Sequence, residues 1–355
     1  YSLEAVVVGF ESTGAYGEPL MHFLRKKQGV RIVQVNPMHT KRLKELQGNS
    51  PNKTDKKDPK VIADIIELGH SLTVVVPEGA AAELRALTNA RERSVQRRTA
   101  LLNQLQGLIY VIFPEFLQIM KGVKTKSARY IVQHLTLPED ILAYDLEPLT
   151  QTLRKVSYGR LGKERAYELY KAAEESVGVV EGRSSILLEI EESLSAIKRS
   201  DHFIAQLERR MTDHLKEIPY SRFILSMQGI GEVTTAGLIG EVGDFNQYRT
   251  IAEITKLAGL DLFEISSGKH KGNRRISKRG RPLMRKLLYY AALNMVSRDG
   301  VMRRTYQRHI QRGMVKMKAL IAIARKLLGI IFALVRNHSE YIPDYDATGN
   351  ALEAA

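Results

Sequence analysis

Ala5-Val-Val-Val-Gly-Phe10, followed by Glu11-Ser-Thr-Gly14, decides how the first part of this chain is read. A β-branched run of that length, closed by small turn residues, suits a buried parallel strand. Working outward, Glu18 to Lys27 has helical periodicity through Leu20, Phe23 and Leu24, and Gly29 is placed to end that helix. Val30-Arg-Ile-Val-Gln-Val35 reads as a second strand, closed by Asn36-Pro37. The pattern then predicts a helix from Pro37 to about Leu46, a polar stretch from Gly48 to Lys53, a helix from near Asp55 to Leu68 and a further strand at Leu72 to Val76. Strands alternating with helices imply an α/β unit with a largely parallel sheet.

The middle of the chain is read as helical. Ala80 to Phe113 holds no Pro and only Gly107 among its glycines, with Leu84, Leu87, Leu101, Leu105 and Ile109 recurring between basic residues. Ile186, Ile190, Leu194, Ile197, Ile204, Leu207, Met211 and Leu215 form a coiled-coil-like stripe with one polar gap at Asp201. Such a stripe serves packing inside one chain or self-association equally well. Lys121 to Gly182 is mixed helix and loop. From Ser221 to about Tyr345 a separate unit opens on a glycine-punctuated hairpin, continues through a basic loop and ends in amphipathic helices. A small, polar tail closes the chain. The expected organisation is 1–78 (α/β), 79–220 (helical, coiled-coil-like), 221–345 (mostly helical) and 346–355 (tail).

The chain has 355 residues, 54 Lys and Arg against 39 Asp and Glu, and a formal charge of +15. A balance that basic points to a polyanionic partner, nucleic acid before membrane. There is no Cys, which excludes a disulfide framework, thiolate zinc and a Cys nucleophile and suits a reducing cytoplasm. The most apolar stretch, Ala319 to Val335, is interrupted by Arg325-Lys326 and falls short of the about 20 residues a bilayer requires. No membrane partner is expected.

Three constellations carry chemistry. Glu11 stands at the C-terminal end of the first strand, where ligand sites of open α/β sheets collect, and Asp55 and Asp58 stand at i and i+3 near a helix start. Such carboxylates are the oxygen ligands that Mg²⁺ takes; the same spacing also makes an ordinary solvated cap. Gly229-Ile-Gly231, between an apolar segment and a helix of small residues, has the pattern of a helix-hairpin-helix, whose N–H groups approach a phosphate; it also suits a tight packing turn. Lys269, Lys271, Arg274, Arg275, Lys278, Arg279, Arg281, Arg285 and Lys286 form a run without a single acid, directly after Ile265-Ser-Ser-Gly268. Phosphate neutralisation is the natural use of such a run. Ser266 and Ser267 beside it are candidate nucleophiles or simple turn residues.

These pieces, in this order, resemble the insertion sequence 110 family of transposases, relatives of the Piv-type DNA invertases. The N-terminal match is Val-Val-Val-Gly-Phe-Glu11-Ser-Thr-Gly14 with Lys53-Thr-Asp55-Lys-Lys-Asp58-Pro-Lys-Val-Ile-Ala63. The C-terminal match runs from Gly229-Ile-Gly231 through Leu257-Ala-Gly-Leu260 to Ser267-Gly268-Lys269 and Arg275-Ile-Ser-Lys-Arg-Gly280. The resemblance implies a RuvC-like, RNase H type domain with a DEDD tetrad, followed by the family's serine-bearing transposase domain. Glu11 would be the second carboxylate of the tetrad, and Asp55 and Asp58 the third and fourth. Ser267, with Ser266 as the alternative, would be the nucleophile. It further implies Mg²⁺, strand exchange through a covalent phosphoserine, a homo-oligomer (dimer or tetramer), and an RNA that pairs with donor and target DNA. The tetrad's first Asp should lie on a strand upstream of Glu11, where this chain supplies none, so an incomplete N-terminal domain is expected. Pro59 stands where the family usually has Ala. Two other classes fit the same residues: a metal-dependent nuclease or junction resolvase using water, and an inactive nucleic-acid-binding remnant.

Overall fold

The Val-rich opening run forms β1 (Val6–Glu11), which pairs in parallel with β2 (Val30–Val35), Glu11 opposite Val35. The computed structural model describes residues 6–11, 16–27, 29–48, 58–73, 76–264, 272 and 274–343. Helix α1 (Glu18–Arg25) makes the crossover between the two strands. After β2 the chain enters α2 (Pro37–Gly48), and α3 (Asp58–Glu67) returns it to the sheet. Pro59 falls in the first turn of α3, where a missing N–H breaks no helical bond. The last strand, β3 (Leu72–Thr73), runs antiparallel to β2. The sheet order is β1-β2-β3, so the largely parallel sheet expected from sequence is parallel at one pairing and antiparallel at the other. The reason is the short link from α3, which leaves the chain beside Gln34 heading back along β2. The small core here is Val35, Val61 and Ile65, with Leu43, Ile62 and Ile66 packed on it.

Two 34-residue helices form the spine, α4 (Gly79–Ile112) and α10 (Arg183–Lys216). They run antiparallel, with Arg91 bonded to Glu208 at 2.7 Å and Arg98 to Asp201 at 2.8 Å. The two rungs are a heptad apart on each helix, the repeat at which one helical face returns. The apolar stripe of α10 is buried in this pairing and its flanking cores, so the stripe is used within the chain. The polar gap at Asp201 also has its reason: its carboxylate meets Arg98 and Arg129.

The stretch between the long helices folds as α5 (Pro114–Ile119), α6 (Lys126–His134), α7 (Pro138–Leu142), α8 (Leu146–Ser157) and α9 (Lys163–Glu174). They close one apolar core over Leu105, Ile109, Ile190 and Ile197. A second, larger core takes Leu84 and Leu87 of α4 and Leu207, Met211 and Leu215 of α10 into the C-terminal helices. Each long helix therefore serves both cores. The C-terminal elements are α11 (Ser221–Leu225), α12 (Glu232–Val242), a 3-10 turn at Phe245–Gln247, α13 (Ile251–Leu257), β4 (Leu262–Phe263), β5 (Arg275–Ile276), α14 (Pro282–Val296), α15 (Val301–Gln311) and α16 (Lys316–Asn337).

Helix α12 is at the centre, buried from Thr235 to Val242. Glycines permit that position. A Cβ on Gly240 would lie 2.7 Å from the backbone nitrogen of Arg85 in α4, so only hydrogen fits between the two helices. The apolar stretch Ala319 to Val335 lies in α16, whose Ile323, Leu327, Leu328 and Ile331 fill the same core. Among the described residues no helix is long and apolar enough to cross a membrane.

Candidate functional site

Glu11 ends β1 and Asp58 starts α3, and the two elements pack on each other at Gly9. Side chains alternate along a strand, so Gly9 and Glu11 share a face. Ile62 and Ile66 close over Gly9; a Cβ there would lie 3.0 Å from Ile62 Cγ2 and nearer still to Ile66 Cδ1. Asp58, Ile62 and Ile66 stand at i, i+4 and i+8 and so share the helix face turned to the strand. Glu11 is about 7 Å along β1 from Gly9, and Asp58 is about 6 Å along α3 from Ile62 and about 12 Å from Ile66. Both are half-buried. The Asp58 carboxylate is met by the Lys44 ammonium from α2. Asp55 lies outside the described residues, and among those described no three His, Asp or Glu side chains gather as a metal site.

The basic segment is held at its neck by a ribbon too short to leave a period in the sequence. β4 and β5 pair antiparallel, Leu262 opposite Ile276 and Phe263 opposite Arg275. Below them the bonds continue: Ser277 N donates to Asp261 O, Lys278 N to Gly259 O and Arg281 N to Leu257 O, at 2.8–3.0 Å. Arg285 donates to both Ala258 O and Gly280 O, at 3.0 and 2.9 Å. Gly259 has φ +64°, and a Cβ there would lie 2.8 Å from Gly280 N, so this turn requires glycine. Ser266, Ser267, Lys269 and Lys271, the centre of the segment, lie outside the described residues.

The run without acids acquires acids in three dimensions. Arg274 bonds Glu264 across the neck at 3.1 Å, Arg281 lies 3.6 Å from Glu241, and Lys286 bonds Glu92 of α4 at 2.5 Å. Burial would raise the Glu92 carboxyl, but the hydrogen bonds from Lys286 and Gln96 outweigh it and hold the group below the usual carboxylate range. Burial pushes Glu241 above that range, with Arg85 opposing. Sequence spacing carries no signal for these pairs, because the acids come from other elements. Arg275, Lys278 and Arg279 are exposed, and no ion pair to them occurs among the described residues.

Gly229 and Gly231 bracket the turn from α11 to α12. Gly229 has φ +105°, a conformation that favours glycine, and a Cβ there would lie 3.0 Å from Met295 Sδ. Gly231 caps α12 with open space around it. The apolar residues before the turn, Phe223, Ile224 and Met227, are buried, as is Ile230 within it. The first residue of α12, Glu232, accepts a hydrogen bond from Thr212 and puts a negative charge at the helix N-terminus.

Comparison with known proteins falls on these same regions. The family described as Transposase IS116/IS110/IS902 matches residues 221–307, which hold the glycine turn, the ribbon and the basic segment. The DEDD transposase family of IS110 elements matches residues 2–114, the α/β unit and α4. The chain is 23% identical over 316 residues to the "Insertion element IS110 uncharacterized 43.6 kDa protein" of Streptomyces coelicolor, covering 88% of this chain and 78% of that one. It is 25% identical over 302 residues to the "Insertion element IS116 uncharacterized 44.8 kDa protein" of Streptomyces clavuligerus, covering 84% and 75%. It is 24% identical over 329 residues to the "Transposase for insertion sequence element IS1111A" of Coxiella burnetii, covering 90% and 76%. With both family regions present in one chain and in order, the chain belongs to the insertion sequence 110 family of transposases.

Proposed function

We propose that the chain cuts and rejoins DNA strands, using Glu11, Asp55 and Asp58 as a carboxylate site and Ser267, or its neighbour Ser266, as nucleophile. The observation that carries this reading is the packing of α3 on β1 at Gly9, which sets Glu11 and Asp58 off from one contact. The donor set suits Mg²⁺: hard carboxylate oxygens, one of which already draws a cationic group, Lys44. Mg²⁺ held by Glu11, Asp55 and Asp58 would supply charge neutralisation at the phosphodiester.

The chain's own part is nucleophilic. The serine hydroxyl oxygen forms a bond to phosphorus, the bond from phosphorus to one sugar oxygen breaks, and the serine proton leaves with the departing strand end. The number of phosphate esters is unchanged, so a hydroxyl of a second strand can reverse the step onto a new partner without an external energy source. Exposed Arg275, Lys278 and Arg279, with Lys269, Lys271 and Arg274, would position phosphates and meet the developing charge. Gly229 and Gly231 would bring backbone N–H groups toward the duplex. The Glu232 charge disfavours a phosphate at the very start of α12, so the flanking turn is the better contact.

The division at residues 78, 220 and 345, a RuvC-like character for the first unit, work on cytoplasmic nucleoid DNA, a dimer or tetramer, and an RNA guide pairing with donor and target belong to the same reading. Denaturing electrophoresis of protein incubated with labelled substrate DNA and Mg²⁺ tests it. Ser267→Ala is expected to abolish the covalent adduct, and chelation of Mg²⁺ to do the same. An adduct lost only in Ser266→Ala moves the nucleophile by one residue. Cleavage that survives in the double variant rules the serine out and favours a water-using nuclease.

A further inference from the structure

Between the two long helices, α6 and α8 bring together cations with no acid among them. No Asp or Glu occurs from Phe116 to Pro138, nor from Pro148 to Lys163. The two stretches are joined by a bond: Ser127 Oγ, in the first turn of α6, donates to Val156 O in the last turn of α8 at 2.9 Å. Lys126 and Lys155 flank that bond in sequence. Lys124, Lys126, Arg154, Lys155, Arg160 and Lys163 are exposed, and no ion pair to any of them occurs among the described residues. Arg129 has a different use. It lies 3.5 Å from Asp201 of α10 and donates to Lys124 O at 2.7 Å, which fixes the loop that enters α6.

Tyr158 stands among these cations, directly after α8, and is 94% exposed. Its backbone has φ +55°, the left-handed region that is strained for a bulky residue and free for glycine. That strain is not offset by packing, since the ring gives almost no surface to its own chain. The turn itself is firmly made. Gly159 N donates to Arg154 O and Leu161 N to Ser157 Oγ, both at 2.8 Å, and Ser157 is buried. A fixed turn thus holds an aromatic ring out into solvent between unpaired cations. A strand of unpaired nucleotides matches both features: its phosphates meet the ammonium and guanidinium groups, and a base stacks on the ring. A duplex offers phosphates but keeps its bases stacked inside, and an acidic peptide offers charge without a flat ring for each residue.

We propose that the joined ends of α6 and α8, with Tyr158 as stacking platform and Lys124, Lys126, Lys155 and Arg160 as phosphate contacts, form a docking surface for single-stranded nucleic acid. This surface lies outside both regions that match the transposase families, 2–114 and 221–307. It goes beyond the functional reading above, because none of its residues takes part in the proposed chemistry.

The test is binding and photo-cross-linking of the full chain, without Mg²⁺, to oligouridine and oligodeoxyuridine of about 12 nucleotides, each carrying a 5-iodouracil. Affinity is read by fluorescence anisotropy over a range of salt. Lys126→Gln with Lys155→Gln is expected to flatten the log–log salt dependence by about 1.4, since each phosphate contact on a single strand contributes about 0.7. Lys171→Gln with Lys216→Gln removes the same charge from exposed positions outside the two stretches and is expected to leave that slope unchanged. Tyr158→Ala is expected to weaken binding about fivefold or more with no change of slope, and Tyr158→Phe to bind as the wild type does. Both variants place a Cβ on the same left-handed backbone, so a merely structural role would not separate them. Irradiation is expected to label the tryptic peptide Val156–Arg160 in the wild type and to leave it unlabelled in Tyr158→Ala. The oligomer that responds, ribose or deoxyribose, identifies the strand. Labels confined to other peptides, or equal affinities of Tyr158→Ala and Tyr158→Phe, overturn the surface and leave the functional reading standing. An equal loss by Tyr158→Ala on a blunt DNA duplex overturns it too, because paired bases cannot reach the ring.

Discussion

Gly9 and Gly240 are both glycines on which another element closes, one in the carboxylate unit and one in the C-terminal core, and their neighbours differ. At Gly240 a side chain would meet the backbone of α4, at Leu84 and Arg85. At Gly9 it would meet the terminal carbons of Ile66 and Ile62. Backbone inside a packed helix pair cannot move without its partners, whereas the end of an isoleucine can change rotamer. The C-terminal unit is thus built to a fixed separation around α12. The α3–β1 interface, where Glu11 and Asp58 originate, is closed by adjustable side chains over a small core. A rigid half that carries the serine segment and a more adaptable half that carries the carboxylates is the arrangement this contrast implies.

The sharpest way to break the comparison is Gly240→Ala. Alanine gains about 1 kcal/mol of helix propensity, but the clash with Arg85 N and Cα, at 2.7 and 2.8 Å, is expected to leave a net loss of about 1–3 kcal/mol, read as a lower Tm. Gly9→Ala comes next, with an expected change within about 1 kcal/mol, because Ile66 can give way and the unfolded chain loses entropy. A larger loss from Gly9→Ala than from Gly240→Ala would invert the picture. The smallest effect concerns pH. Burial raises Glu241 above the ordinary 4.5, so the folded chain holds that proton more tightly than the unfolded one. Its contribution to stability is full below about 4.5 and fades as pH rises through the elevated value. Glu241→Gln is therefore expected to flatten stability against pH above that point, in denaturant titrations at stepped pH.

Much of the architecture was legible. The two long helices follow from apolar residues at three- and four-residue steps, since an amphipathic stripe needs no knowledge of its partner. The family followed from motif order, and both family regions fall on the quoted residues. Less was legible where pairing is short or distant. β4 and β5 have two residues each, too few for an alternating pattern. Next to them lie the Arg285 bonds and the Gly259–Gly280 contact, which no local spacing announces. Asp201 read as a defect in a stripe until Arg98 and Arg129 met it. The basic run read as wholly uncompensated, although Glu264, Glu241 and Glu92 reach it from other elements.

The sequence by itself determined composition-level charge, the helical periods, the first strand with its terminal Glu11 and the family, because each is a property of residue order over a short window. Only the tertiary structure decided that the α10 stripe is spent on α4 within the chain, that β3 turns back antiparallel, and that Glu92, Glu241 and Glu264 meet the basic run. Those outcomes rest on which distant surfaces exclude water together and which charges are left facing one another, and that is settled by packing in three dimensions.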